Sequence, residues 1–299
     1  MSDGPDFDVR DPTYRPLLGA QAVTTFERLE ERTASALFEM LEDARGGSDE
    51  MADALPGIVD PKRRLPVCQK GCSYCCHATV LASAPEILAI AAQVRTLPAA
   101  RREDVELRIH EGYARSSART ESERTAAADP CPLLDPDDGS CAAHEVRPFA
   151  CRAYHSLDVA PCKRAFEARS PNPVLPIDVI AFRVPHATSF GVMAGVRARG
   201  LAPGPFELVR GLHEALSGAD PTAAWLANEP VFTDDPASRD VVLPTRSTLD
   251  TLAHDVLHGG FAELDAGAAS DAPLAPTTAD DRRRARNQRK KQKKQARGR

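Results

Sequence analysis

From Leu17 onward, apolar side chains recur at Leu18, Ala22, Phe26, Leu29, Ala36, Leu37, Met40 and Leu41, roughly the spacing of one helix face, and the pattern runs to Gly46-Gly47. This predicts an amphipathic helix stopped by the glycine pair. Ser83-Ala-Pro85-Glu86 reads as a capping box with Pro in the first turn, opening a helix over Ile87, Leu88, Ile90, Ala91 and Val94 that Leu97-Pro98 ends. A charged helix is expected at about 101–119, and Asp158 caps a short one through Cys162 and Phe166. Further helical patterns lie at about 177–199, interrupted by Pro185, and at 205–217, 221–228 and 247–258. No segment repeats another.

Between these stretches the apolar periodicity lapses. Residues 1–16 hold four Asp and three Pro with little that is apolar, and read as an irregular arm. Residues 66–165 alternate helical and irregular pieces around cysteines, and form the core of a unit spanning 17–170. A helical region follows over 171–262, and 263–299 is too poor in apolar surface to offset its ordering entropy, so it is expected to be disordered.

Composition agrees with helices. Aromatics make up 5% while Pro numbers 25, which favours a mainly α, loop-rich fold over a β-sandwich. The formal charge of −5 is unevenly spread: residues 282–299 carry 11 Lys/Arg and no carboxylate, leaving 27 basic against 43 acidic residues over 1–281. The acidic body would repel nucleic acid, so RNA contact is expected only through 282–299, by counterion release; a solvated solubility tail explains the same charges. No run of 18 apolar residues occurs and the first residues lack a signal-peptide pattern, so neither a membrane span nor export is expected and the chain is placed in the cytoplasm.

That compartment changes the meaning of the eight cysteines. Reduced thiols read as metal ligands before they read as disulfides. They fall in blocks: Cys68-x3-Cys72-x2-Cys75-Cys76, then Cys131-Pro-Leu-Leu-x6-Cys141, then Cys151-Arg152, with Cys162 eleven residues on. Thiolates two or three residues apart close a turn around a soft metal, zinc or iron, and Gly71 supplies backbone freedom. The vicinal pair Cys75-Cys76 discriminates further, since adjacent side chains diverge and do not readily serve one tetrahedral ion. It suggests either a centre of several metal atoms, an iron-sulfur cluster favoured over zinc, or one ligand beside one buried thiol. An isolated cysteine such as Cys162 is explained almost as well as a buried thiol.

These blocks, with Glu86, Gly139-Ser-Cys141 and His144-Glu-Val-Arg147-Pro148-x2-Cys151-Arg152, resemble the YkgJ-type cysteine-cluster family, a zinc- or iron-chelating domain. The family usually writes its first block C-x2-C-x2-C-C, so Cys68 stands one residue further out here. The resemblance implies metal binding through Cys68, Cys72, Cys75, Cys76, Cys131, Cys141, Cys151 and Cys162. Some members are flagellin lysine methylases, which implies methyl transfer to a protein substrate as an alternative activity. Arg147 either neutralises the thiolates or forms a surface ion pair, and His77, His144 and His155 stay outside the ligand set. The sequence lacks phosphate-loop, dinucleotide-binding, H-E-x-x-H, deaminase and nucleophile-elbow patterns, so it leaves open whether the chain is an enzyme.

Overall fold

The computed structural model describes residues 9, 11–69, 71–170, 174–233 and 246–261. Most of the 1–16 arm and the whole of the 263–299 tail lie outside the described residues. The periodicity that begins at Leu17 belongs to two helices, α1 (Arg15–Arg28) and α2 (Ala34–Val59). The break has a local cause: Arg32 takes a left-handed turn (φ 48°) and the Thr33 hydroxyl caps α2 by accepting from the Ala36 N–H at 3.2 Å. The expected stop at Gly46-Gly47 does not occur. A helical glycine costs only about 1 kcal/mol relative to alanine, and buried Ser48, Ala52 and Pro56 downstream carry the helix on.

Helix α3 (Ala84–Arg95) opens with the expected capping box, and α4 (Ala99–Ser116) follows. A second capping box, Thr120 with Glu123, starts an unforeseen short helix α5 (Glu121–Ala127). Then come α6 (Phe149–Ala153) and α7 (Val159–Glu167), with Asp158 capping α7 by accepting from the Ala160 N–H. The remaining helices are α8 (Val179–Ala198), α9 (Leu208–Ser217), α10 (Pro221–Leu226) and α11 (Arg246–His258). The chain is mainly α. Two short strands, β1 (Leu81–Ala82) and β2 (Phe206–Glu207), pair antiparallel and tie the start of α3 to the start of α9.

Pro185 was expected to interrupt the α8 pattern, yet the helix continues through it. Asp178 caps the first turn through the Ile180 and Ala181 N–H groups, and packing against α1, α2, α6 and α11 outweighs the missing hydrogen bond. By length and mean hydropathy (1.3) α8 would suffice to cross a bilayer, but 67% of it is buried inside the protein, as befits a core helix. Because α8 lies against both α1 and α2, the chain before residue 170 and the chain after it share one core.

Glycines set how closely α1 and α8 approach. A Cβ on Gly191 would lie 2.6 Å from the Leu18 carbonyl oxygen, and one on Gly195 would meet the Ala22 carbonyl and sit 2.6 Å from the Thr25 Cβ. Gly195→Ala is therefore expected to destabilise by about 1–3 kcal/mol in urea titration. Gly46→Ala, where a Cβ meets nothing within 4 Å, should stabilise by up to about 1 kcal/mol. Equal effects from the two would contradict this packing.

Candidate metal centre

The connection from α2 is held by Arg63, which pairs with Asp178 at 2.8 Å, and by the Val67 N–H donating to the Ser156 carbonyl at 2.8 Å. This lays Cys68 against 154–156. Its thiol donates to the Tyr154 carbonyl at 3.6 Å and accepts from the Ser156 N–H at 3.4 Å. The Cys162 thiol, on α7, donates to the Ser156 hydroxyl at 3.3 Å. Two thiols 94 positions apart in sequence thus meet on one serine.

Cys75 and Cys76 lie in a helical turn, Tyr74–His77, which Phe166 of α7 covers, its ring 4.6 Å from that of His77 and 5.9 Å from that of Tyr74. The Cys131 N–H donates to the Cys76 carbonyl at 2.7 Å, and from there residues 131–142 form a narrow hairpin: Leu134 bridges Cys141 and the Ala142 N–H reaches the Leu133 carbonyl at 2.7 Å. Gly71 and Gly139 explain why this hairpin lies beside Cys72. Both have positive φ (86° and 68°), and a Cβ on Gly139 would stand 3.3 Å from the Gly71 carbonyl oxygen, so the two turns touch backbone to backbone.

Cys151 is set by a buried carboxylate. One oxygen of Glu86 (1% exposed) accepts from the Ser83 N–H and hydroxyl, and the other accepts from the Phe149 N–H at 2.7 Å, joining the first turns of α3 and α6. Arg152, also buried, pairs with Asp49 and donates to the Glu145 and Arg147 carbonyls, clamping the 144–147 turn to α2. Buried Arg45 donates to the Val146 carbonyl at 3.5 Å. Its pKa is pushed down to about 10 by burial and by neighbouring Arg152, against the pull of Glu86. Arg45 and Asp49 escaped the sequence reading. One signal for Arg45 was present: it occupies the apolar stripe of α2, in line with Leu41, Ser48 and Ala52.

All eight cysteines are free. Burial raises Cys68, Cys72, Cys131, Cys141 and Cys151, Cys131 to about 12. Cys75 is raised first by its hydrogen bond with Cys76 and then by burial. Neighbouring thiols add to this: Cys75 and Cys162 at Cys68; Cys68, Cys75 and Cys162 at Cys72; Cys131, Cys75 and Cys141 at Cys151. Arg147 acts the other way at Cys68, Cys75, Cys141 and Cys151, favouring their thiolates. Among the described residues it forms no carboxylate pair; its Nη1 lies 3.2 Å from the His144 ring and its buried Nε has no hydrogen-bond partner. Of the two readings of Arg147, the one facing the sulfurs fits. His77 is held by the Ala128 carbonyl at 2.9 Å, and His144 is exposed.

The donor set suits a soft or borderline cation, because thiolates prefer zinc and iron to magnesium or calcium, and an orphaned guanidinium suits an anionic thiolate cage. Among the described residues no three His, Cys, Asp or Glu side chains are already grouped as a metal site requires. Because burial holds the thiols protonated near neutral pH, each one that binds releases its proton. Affinity is therefore expected to rise with pH, up to tenfold per pH unit for each displaced proton. Metal titration in weakly buffered solution should release protons in proportion to metal bound, and an unchanged pH would contradict thiol ligation.

Residues 67–171, roughly a third of the chain, match the family model CxxCxxCC, "Putative zinc- or iron-chelating domain". No curated protein and no solved structure matches the chain.

Proposed function

We propose that this CxxCxxCC-type domain, over residues 67–171, is a metal-chelating unit whose thiolates build an iron-sulfur centre. The observation that carries the reading is the presence of eight free thiols on four chain segments, with the charge of Arg147 favouring the thiolates of Cys68, Cys75, Cys141 and Cys151. A tetrahedral zinc takes four ligands. A polynuclear centre uses more thiolates and can employ both Cys75 and Cys76, whose thiols hydrogen-bond to each other. A bound iron-sulfur group would supply thiolate-ligated iron able to change oxidation state. The chain's own residues hold the thiol-bearing segments in place: Glu86 and Arg152 place Cys151, Gly71 and Gly139 let the turns before Cys72 and Cys141 touch, and Ser156 seats Cys68 with Cys162. A reducing compartment suits this chemistry, since oxidation would join the thiols.

The decisive experiment is purification of the full chain without oxygen, followed by its visible spectrum and assays of iron, acid-labile sulfide and zinc. Broad absorption near 400 nm with iron and sulfide in comparable amounts is the expected result. A colourless protein with one zinc would replace the cluster by a single zinc site.

A further inference from the structure

Eight of the ten large apolar side chains left exposed among the described residues fall in three segments, 58–67, 154–159 and 174–179. Leu65 is 71% exposed and Val174 78%. Hydrogen bonds tie the segments into one strip: the Val67 N–H donates to the Ser156 carbonyl and the Arg64 guanidinium to the Leu157 carbonyl, both at 2.8 Å, and the Leu157 N–H donates to the Pro176 carbonyl at 2.7 Å. A bridge between Ser156 and Ile177 and the Arg63–Asp178 ion pair close it. Single exposed apolar side chains are ordinary, whereas their concentration on one joined strip marks an interaction surface.

Charge indicates what covers it. Over 1–281 carboxylates outnumber basic residues 43 to 27, yet exposed Lys62 and Arg64 stand in the strip, and exposed Lys163 and Arg164 follow it in α7. The carboxylates nearby are engaged within the chain: Asp60 accepts from the Lys62 N–H at 2.9 Å, Asp158 caps α7, Asp178 holds Arg63 and caps α8, and Glu167 lies 3.8 Å from Lys163. We infer that this strip is a docking surface for an acidic protein partner, one that presents aliphatic side chains among carboxylates. Apolar anchors flanked by Arg and Lys complement such a partner in both shape of contact and sign of charge. A lipid surface is a poorer match, because Tyr154 is the one aromatic among the eight and they come from three separate segments, not one helix face. Exposed Cys68 follows directly on Val67, so the partner sits beside a thiol of the chelating domain. The surface does not depend on the metal-binding reading above.

The test follows the fluorescence anisotropy of a labelled amphipathic helical peptide, Leu on one face and Glu on the other, titrated with the full chain. A companion peptide with Lys in place of Glu is the control. The acidic peptide is expected to bind and the basic one not, with affinity falling as salt rises from about 50 to about 500 mM. Leu65→Ser and Lys62→Glu should each weaken binding by about tenfold, while Leu257→Ser, also exposed but on α11, should leave it unchanged. No binding of the acidic peptide, equal binding of the two peptides, or indifference to both substitutions in the strip overturns the inference. Flotation with phosphatidylserine vesicles that Leu65→Ser abolishes also overturns it, giving the surface to lipid, and a concentration-dependent dimer that Leu65→Ser dissolves gives it to a second copy. Metal content enters none of these readouts, so the proposed function stands or falls separately.

Discussion

Cys75→Ser is expected to strip the centre of nearly all its metal. Cys75 neighbours Cys68 and Cys72 in its own block and Cys151 across the fold, so its loss touches thiols of two chain segments. Losing a hydrogen-bonding partner of a ligand already costs about 10–100-fold in affinity, and losing the ligand itself should exceed that. Structural zinc in small domains contributes about 10 kcal/mol or more to folding, and such domains unfold without it. This chain should behave differently. The core built on α2, α3, α8 and α9 is apolar and takes only Leu133, Ala143 and Phe149 from the cysteine-bearing segments, so the metal-free variant should keep its helical circular dichroism. What it should lose is amide protection over 67–78 and 131–146, measured by hydrogen exchange. A variant with wild-type metal content would remove Cys75 from the ligand set, and one that unfolds entirely would show that the core depends on the metal.

Glu86→Ala should be the most damaging substitution away from the cysteines. It leaves the buried Ser83 and Phe149 N–H groups without their acceptor and removes the carboxylate that faces buried Arg45. An unsatisfied buried donor costs about 1–3 kcal/mol, and an uncompensated buried charge about 3–5 kcal/mol, so a loss of roughly 3–5 kcal/mol is expected. At this chain length that corresponds to a fall in Tm of about 10 °C. Glu86→Gln keeps an acceptor oxygen and should lose less. Because α6 starts on Glu86, the alanine variant should also bind metal more weakly, through a misplaced Cys151. Differential scanning calorimetry of both variants, with and without EDTA, separates the two effects; an alanine variant within 1 kcal/mol of the wild type would disprove the joint.

Which parts of this were legible in sequence follows from the range of the interactions involved. The caps at Ser83, Asp158 and Asp178 connect residues two or three positions apart, so Ser83-x-x-Glu86 announces itself. Thr120-x-x-Glu123 carries the same signal and opens α5. Gly46-Gly47 and Pro185 were read as breaks because intrinsic propensity is all a sequence displays; burial of the flanking turns against α1 and α8 overrode both. Glu86 illustrates the limit most directly. Its capping oxygen was readable, while the oxygen that holds Phe149, 63 positions away, was not.

The sequence by itself determined that the chain is mainly α and that its spaced cysteines follow the pattern of a zinc- or iron-chelating domain, because helix periodicity and cysteine spacing are local properties of the covalent chain. Only the tertiary structure decided which distant groups serve those thiols. The charge of Arg147 favours several of the thiolates, Arg45 and Asp49 brace the 144–152 segment from α2, and Ser156 joins Cys68 to Cys162. The contacts of Arg45 with Val146, Asp49 with Arg152 and Ser156 with Cys68 span many tens of residues and follow from how the helices bury their apolar faces, and no local pattern encodes that packing.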